Sequence, residues 1–496
     1  MTLRKCLMGA ALSALVCGSA VFADTPTPAA ASDATPVDSS YYLQTSGPTS
    51  LTPIMFELSN TSVGKWMTAN NLSITGFAEG GYFLDTDNGH MGNQHGTGPG
   101  AIVPTKIKGD GDAPTDIGFG GIYSNRPQLD QLDVTIAKSI PDATKWDWGF
   151  TVEQGYGTDD AQIHSDGMLD SRGNTVNGTV KGISIPGAGF VGTTTQGPDN
   201  QYDIVQANVS MSIPIGNGLT IKAGKFVTLL GYEYINPTLN AFYTHSYLFS
   251  FGIPLTQTGV LASYTFPKLV NGQDWTFTAG ITRGWNQSTL DNNGEPDFLG
   301  EMSGNITSDG KLAFTFNMSE GPEATHDNSD YWTVLELIPT YKFSDQLSFA
   351  MDTLFGDFPH GSGVDVGHQS NTQGTPPLIN VYDGRSDCWY AVAPYAAYKL
   401  NSYVTFNARG EWYRDQGGYT LGNLNSNSGT DFYEVTLNAQ IKPLPNSDLF
   451  QWLQFRPEVR YDWASHKSYN GADIGGNGTQ GQHNELTFAV DAIMQF

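Results

Sequence analysis

The sequence lacks a long apolar run beyond its first 23 residues. A membrane-spanning helix requires about 18 or more consecutive apolar residues, and no later segment provides them. The sequence therefore excludes a helical membrane protein. Cysteine is also scarce, because only Cys6, Cys17 and Cys388 occur. Two of them lie in the N-terminal run, so a chain cut after this run has one cysteine and no internal disulfide.

Basic residues are few. The chain has 24 Lys and Arg against 49 Asp and Glu, which gives a formal net charge of −25. Such an acidic chain is repelled by phosphate backbones and anionic membrane surfaces, so we expect no nucleic-acid partner.

Catalytic motifs are also missing. No Gly-x-Ser-x-Gly elbow and no His-Glu-x-x-His pair occurs, and no glycine-rich phosphate loop joins a strand to a helix. We therefore predict no enzymatic activity and no cofactor. His90 with His95, and His360 with His368, have spacings that loops show by chance, so we predict no metal site. Five acids in the first long connection are interpreted as a solvated loop rather than a Ca²⁺ site: Asp85, Asp87, Asp110, Asp112 and Asp116.

Residues 1–23 are organised like a secretory signal peptide. Arg4 and Lys5 precede an apolar run from Leu7 to Phe22, and a cut is predicted before Asp24. A retained anchor, or a lipoprotein cut before Cys17, are the alternatives. Residues 24–70 are predicted to be a flexible periplasmic segment, rich in Ala, Thr, Pro and Ser, with a short amphipathic helix within 52–69.

From Leu72 onward, apolar and polar residues alternate. In residues 432–441, for example, Tyr433, Val435 and Leu437 alternate with Glu434, Thr436 and Asn438. Successive side chains of a strand point to opposite faces, so each such segment has one apolar and one polar face. This pattern predicts 16 strands, at 72–84, 128–139, 146–157, 202–213, 218–227, 257–267, 273–285, 296–307, 310–320, 330–343, 346–357, 388–400, 402–414, 430–443, 450–463 and 485–496.

The connections between these segments alternate between long and short. An even number of antiparallel strands with short periplasmic turns and long outer loops is typical of bacterial outer-membrane barrels. We therefore predict an all-β fold, a transmembrane antiparallel barrel of about 16 strands over 71–496. A secreted soluble β-protein is the alternative. The terminal Phe496 closes an alternating strand and resembles the signal read by the barrel-assembly machinery, an expected partner alongside outer-membrane lipid.

Several segments resemble one known family. They are 223–226, 231–233, 236–237, 240–247, 251–254 and 258–260, with 74–82 in the first strand and 126–131 at the entry to the second. The chain resembles the putative β-barrel porin-2, OmpL-like family over about 70–496. The resemblance implies a porin-like barrel in the outer membrane and names no substrate.

The polar strand faces should line the lumen, where charge sets ion preference. The candidate pore-lining residues are Glu79, Glu153, Lys222, Asp352, Arg409, Glu411, Glu434, Arg456 and Arg460. Two interpretations are open for them: a mixed ladder that acts on passing solutes, and ordinary ion pairs within the lumen.

The connection after strand five, 228–256, is aromatic. Exposure of such a segment to water would be costly, so we expect it to fold into or over the lumen, with a rim or subunit contact as the alternative. Its candidate constriction residues are Tyr232, Glu233, Tyr234, Phe242, Tyr243, His245 and Tyr247.

Aromatic residues at strand ends predict membrane-interface girdles. The candidates are Tyr82, Trp146, Trp148, Trp285, Trp332, Tyr341, Tyr403, Trp412, Tyr413, Trp452, Tyr461 and Trp463.

Together these features predict passive diffusion of small hydrophilic solutes or ions through a wet barrel. The alternatives are a barrel with a surface binding or structural role and, less favoured, a barrel hydrolase. A homotrimer is expected only by analogy with porins of this size.

Overall fold

The structure is a computed structural model. It describes residues 52–85, 127–165, 183–184, 190–191, 201–289, 291, 293–323, 328, 331–358, 387–416, 420, 429–466, 469 and 483–496. The predicted signal peptide and the histidine pairs of the long connections lie outside the described residues.

Sixteen strands form the body of the molecule. They are β1 (Leu72–Asp85), β2 (Pro127–Lys138), β3 (Asp147–Gly157), β4 (Gln201–Ile213), β5 (Leu219–Val227), β6 (Thr256–Val270), β7 (Gln273–Thr282), β8 (Asp297–Asn305), β9 (Leu312–Pro322), β10 (Tyr331–Lys342), β11 (Leu347–Phe358), β12 (Asp387–Lys399), β13 (Val404–Asp415), β14 (Thr430–Ile441), β15 (Leu453–Ala464) and β16 (Asn484–Gln495). Each corresponds to one predicted segment, so the predicted strand number is confirmed.

The strands close into a barrel in chain order, with every pair antiparallel. The first and last strands meet in register, from Phe77 opposite Gln495 to Asp85 opposite Thr487. Closure satisfies the backbone groups that an open sheet edge would leave unpaired in lipid. The predicted all-β barrel is therefore confirmed.

The burial pattern of the barrel is inverted relative to a soluble protein. On β15, Phe455 and Tyr461 are exposed on the outside, whereas Arg456, Glu458 and Arg460 are buried inside. Val209, Val260, Ile281, Leu437 and Phe488 are likewise exposed on other strands. An apolar belt with polar residues inside is the arrangement expected in a bilayer. Among the described residues, no helix is long and apolar enough to cross a membrane.

Two short helices precede the barrel, where one was predicted. They are α1 (Pro53–Ser59) and α2 (Ser62–Ala69). The helix is interrupted between them because Thr61 is the N-cap of α2. The side-chain oxygen of Thr61 accepts a hydrogen bond from Gly64 N at 3.0 Å. A one-turn helix, α3 (Asp160–Ile163), follows β3, and Ile183–Ser184 pairs with Phe190–Val191 as a separate two-stranded ribbon.

The girdle prediction is wrong for three residues. Trp285, Trp332 and Tyr413 are at most 3% exposed and belong to a buried cluster inside the barrel. They lie near strand ends, but their side chains point to the inner side. Trp146, Trp148, Tyr341, Tyr403 and Tyr461 are exposed as a girdle requires.

Candidate solute pathway inside the barrel

The connection between β5 and β6, residues 228–255, is called the inner loop. Its backbone binds side chains in the middle of β10, β11, β13 and β15, which places it inside the barrel. The side chains of Phe242, Tyr243, His245 and Tyr247 are at most 5% exposed. Burial inside the barrel therefore keeps the aromatic side chains of the loop away from water.

Carboxylates of the barrel wall bind the N–H groups of the inner loop. Gly231 N donates to both oxygens of Glu336, at 3.0 and 2.9 Å, and Tyr232 N donates to Asp352 at 2.9 Å. Tyr247 N and Leu248 N donate to Glu411 at 2.6 and 2.7 Å. These hydrogen bonds satisfy buried N–H groups of the loop, so the three acids anchor it to the barrel wall.

A fourth carboxylate holds the tip of the loop. Tyr243 N donates to Glu458 Oε2 at 2.9 Å, and the hydroxyl of Thr244 donates to Glu458 Oε1. The Tyr243 hydroxyl lies 3.2 Å from Asp130 Oδ2, on the far side of the closure seam. The inner loop therefore spans the lumen from β10 to β2.

Arginines bind the carbonyl groups of the inner loop. Arg456 Nη1 donates to the carbonyl oxygens of Pro237, Asn240 and Phe242 at 3.1, 2.9 and 2.6 Å. Arg409 Nη1 donates to Thr244 O at 2.7 Å, and Arg460 Nη1 donates to His245 O at 2.6 Å. The inner faces of β13 and β15 that carry these three residues are called the arginine wall.

Each arginine of this wall also pairs with acids. Arg409 contacts Glu434 at 2.6 Å and Glu233 at 2.7 Å, and Arg456 contacts Glu79 at 2.7 Å and Asp491 at 2.6 Å. Arg460 contacts Asp462 at 2.9 Å. The geometry therefore favours the ion-pair interpretation over a solute-facing ladder for these candidate residues.

Two titratable groups of the inner loop are held in fixed states. Burial alone would raise the pKa of Glu233, but the Arg409 guanidinium and the N–H of Ser246 hold this pKa below its usual value. Burial lowers the pKa of His245 to about 4, so its ring is neutral at pH 7. The loop thus presents no histidine charge near neutral pH.

A buried aromatic cluster packs behind the inner loop in the outer half of the barrel. Trp285, Trp332 and Trp389 lie with ring centroids 5.3 to 6.4 Å apart. Trp389 Nε1 donates to Gly252 O at 3.1 Å, which ties the end of the loop to β12. Tyr234 and Phe251 pack against the same cluster.

A second part of the lumen wall, on β2 to β4 beyond the β1–β16 pair, is acidic. We call it the acidic flank: Asp133 on β2, Glu153 on β3, Asp160 in α3 and Asp203 on β4, all buried. Lys225 Nζ lies 3.1 Å from Asp203, and His164 Nδ1 lies 3.2 Å from the other oxygen of this carboxylate. Glu153 accepts a hydrogen bond from Gln206.

A cavity of about 20 Å³ lies between the inner loop and the acidic flank. That volume holds about one water molecule. Glu153 and Gln206 line it from the wall, and Glu233, Tyr234 and Asn236 line it from the loop. Lys222 lies nearer the periplasmic end of β5 and is 8% exposed.

The chain matches the family model of putative beta-barrel porin-2, OmpL-like, over residues 71–496. It belongs to this family. No curated protein matches the chain significantly.

Among solved structures, the family member is similar to an anion-selective porin from Comamonas acidovorans, with 12% identity and a TM-score of 0.45, covering 86% of this chain and 99% of that one. It is also similar to OmpF of Salmonella typhi, with 13% identity, a TM-score of 0.45 and the same coverage. OmpT of Vibrio cholerae has 11% identity and a TM-score of 0.41, with 86% of this chain and 97% of that chain covered.

The family and the lipid-facing belt place this porin-like barrel in the outer membrane. Its last residue, Phe496, pairs with Gly76 through two backbone hydrogen bonds of 2.9 and 2.8 Å at the periplasmic end of the seam. The role of Phe496 as an assembly signal stays a prediction. Among the described residues, no group of three or more His, Cys, Asp or Glu is arranged to hold a metal ion.

Sequence reasoning missed several inward-facing acids. Asp133, Glu336 and Asp491 have the inward parity of their strands, so the alternation could have found them. The alternation misses Asp203, which has the parity of the outward Val209 and Met211, because a bulge lies between β3 and β4 where Glu153 pairs with Gln206 and Gln154 pairs with Ile204. Asp130 could not be found in that way. It is the extra residue of a bulge between β1 and β2, where Glu79 pairs with Gln131 and Gly80 pairs with Leu129. A bulge redirects one side chain against the alternation.

Proposed function

We propose that this protein is an outer-membrane porin through which small hydrophilic solutes or ions diffuse passively. One observation carries the proposal. Thr135, Thr151, Ser210, Thr265 and Thr276 face the inside of the barrel, yet their side chains are only partly buried. Inward hydroxyl groups with accessible surface imply a wet lumen on this side.

The inner loop would narrow this lumen. Its anchors lie on β10 to β15 and on β2, whereas the hydroxyl-bearing faces belong to β2 to β7. Cross-strand hydroxyl contacts, Ser263 to Thr278 at 2.9 Å and Thr265 to Thr276 at 3.0 Å, keep that wall polar. Solutes would therefore pass between the inner loop and the wall that carries Glu153 and Lys222.

Planar-bilayer recording tests the proposal. The purified, detergent-folded protein should insert and produce stepwise currents in KCl. A bilayer that remains sealed, although heat-dependent gel migration shows folded barrels, would reject a porin function. In that case, lipid and peptide hydrolysis assays and partner-binding assays would test the hydrolase and surface-binding alternatives.

Export, assembly and oligomeric state are further parts of the proposal. We expect a mature chain that starts at Asp24, delivery of Phe496 to the barrel-assembly machinery, and a homotrimer. N-terminal sequencing, deletion of Phe496 and light scattering in detergent test these expectations separately.

A further inference from the structure

Acids strongly outnumber bases among the buried side chains. In the described residues, 21 Asp and Glu side chains are buried, against five Lys and Arg. The five bases are Lys222, Lys225, Arg409, Arg456 and Arg460. The effect of this imbalance on a passing ion depends on which of the basic side chains face the ion with a charge that no neighbouring acid compensates.

The three arginines are covered by the inner loop and paired with acids. Arg409, Arg456 and Arg460 have side-chain exposures of 0 to 3%, and each donates to carbonyl groups of the inner loop that covers it. Each also contacts at least one carboxylate at 2.9 Å or less. Covered and paired cations contribute little field to a solute on the other side of the loop.

The charge of Lys225 is compensated by a neighbouring acid. Its ammonium group contacts Asp203 at 3.1 Å and the carbonyl oxygen of Ile204 at 2.6 Å. The remaining base, Lys222, pairs across the sheet with Ser210 and Leu261 and has no carboxylate within salt-bridge distance among the described residues. Lys222 therefore contributes one positive charge against the negative charges of the lumen wall.

On the acidic flank, acidic side chains remain in excess over basic ones. Asp133, Glu153 and Asp203 face the lumen with Lys225 as their basic partner. The cavity beside the inner loop is lined by Glu153 and Glu233, and its lining contains no basic residue.

We propose that the lumen of this barrel prefers cations, because the inner loop covers the arginine wall and leaves the acidic flank, with Glu153 lining the cavity beside the loop, to face the passing ion. This inference rests on the proposed porin function and names its solute class: small hydrated inorganic cations and small organic cations. A wall of one sign, next to low-dielectric material, concentrates the oppositely charged ion.

Reversal-potential recording tests the proposal. With KCl concentrated on one side of the bilayer, the wild-type pore should give a zero-current potential with the dilute side positive. Glu153→Gln should move this potential toward zero, and Glu153→Lys should move it further and reverse its sign. Asp448→Asn is the matched control, because Asp448 lies in an exposed turn between β14 and β15 and its loss changes the net charge equally.

The outcomes separate the two proposals. A sealed bilayer would reject the porin function itself. Stepwise currents with a dilute-side-negative or zero potential would leave the porin standing and overturn cation preference. A Glu153→Gln potential equal to that of Asp448→Asn, with wild-type gel migration for both variants, would overturn the assignment to the acidic flank.

Discussion

The arginine wall and the acidic flank carry inward-facing charged residues on strands with the same alternation. The two regions differ in whether these charges are paired and covered by the inner loop. On the arginine wall, Arg409, Arg456 and Arg460 pair with acids and bind the inner loop. On the acidic flank, Asp133 and Glu153 have few basic partners and face the remaining space. The strand period determines which residues point inward, whereas the loop decides which inward charges can act on a solute.

The largest effect should come from breaking the arginine wall. Arg409→Ala leaves Glu434 and Glu233 buried without their partner, and loss of one member of a buried pair costs about 3–5 kcal/mol. We expect a lower urea midpoint in lipid and larger, noisier single-channel currents, because the inner loop loses an anchor.

Arg414→Ala is the control for this change. Arg414 pairs with Asp431 at 2.6 Å, but both side chains are more than a fifth exposed at the outer end. Exposed pairs contribute about 0–1 kcal/mol. Equal urea midpoints for Arg409→Ala and Arg414→Ala would contradict the anchoring role.

A smaller effect should follow from displacing the tip of the inner loop. A Cβ atom on Gly81 would lie 2.0 Å from the Tyr243 hydroxyl oxygen, so Gly81→Ala must move this ring away from β1. We expect an altered single-channel conductance with the barrel intact.

Gly410→Ala is the corresponding control, because a Cβ atom there meets no atom closer than 3.8 Å. If both alanine variants keep the wild-type conductance, the tip does not shape the solute path.

The remaining effect concerns the pH dependence of stability on the acidic flank. Burial first, and then the carboxylates of Asp159, Asp203 and Glu153, raise the pKa of Asp160 from 3.8 to about 9. Between these values the unfolded chain ionises at this position and the folded protein does not, so wild-type stability falls as pH rises. Asp160→Asn removes this penalty.

Its urea midpoint, measured relative to wild type, should therefore increase from pH 4 to pH 9 and then level off. Asp448→Asn controls for the change in net charge. A difference between Asp160→Asn and wild type that stays constant across this range would refute the assigned state of Asp160.

The alternation in the sequence predicts the fold well because strand period, lumen and lipid impose the same pattern on all 16 strands. It does not predict the environment inside. Trp285 and Trp332 sit near strand ends like girdle residues, and only their contacts with Trp389 show that they belong to the interior. Likewise, nothing local marks Arg456 as a loop anchor, because its partners Glu79 and Phe242 are more than 200 residues away.

Thiol accessibility tests most directly which wall the solute meets. In a Cys388→Ser background, Glu153→Cys and Thr436→Cys place single thiols on the acidic flank and beneath the inner loop, where Thr436 is fully buried next to Arg409. A positively charged thiol reagent should reduce the current through the Glu153→Cys pore and leave the Thr436→Cys pore unchanged. Block at Thr436→Cys with no effect at Glu153→Cys would contradict the account.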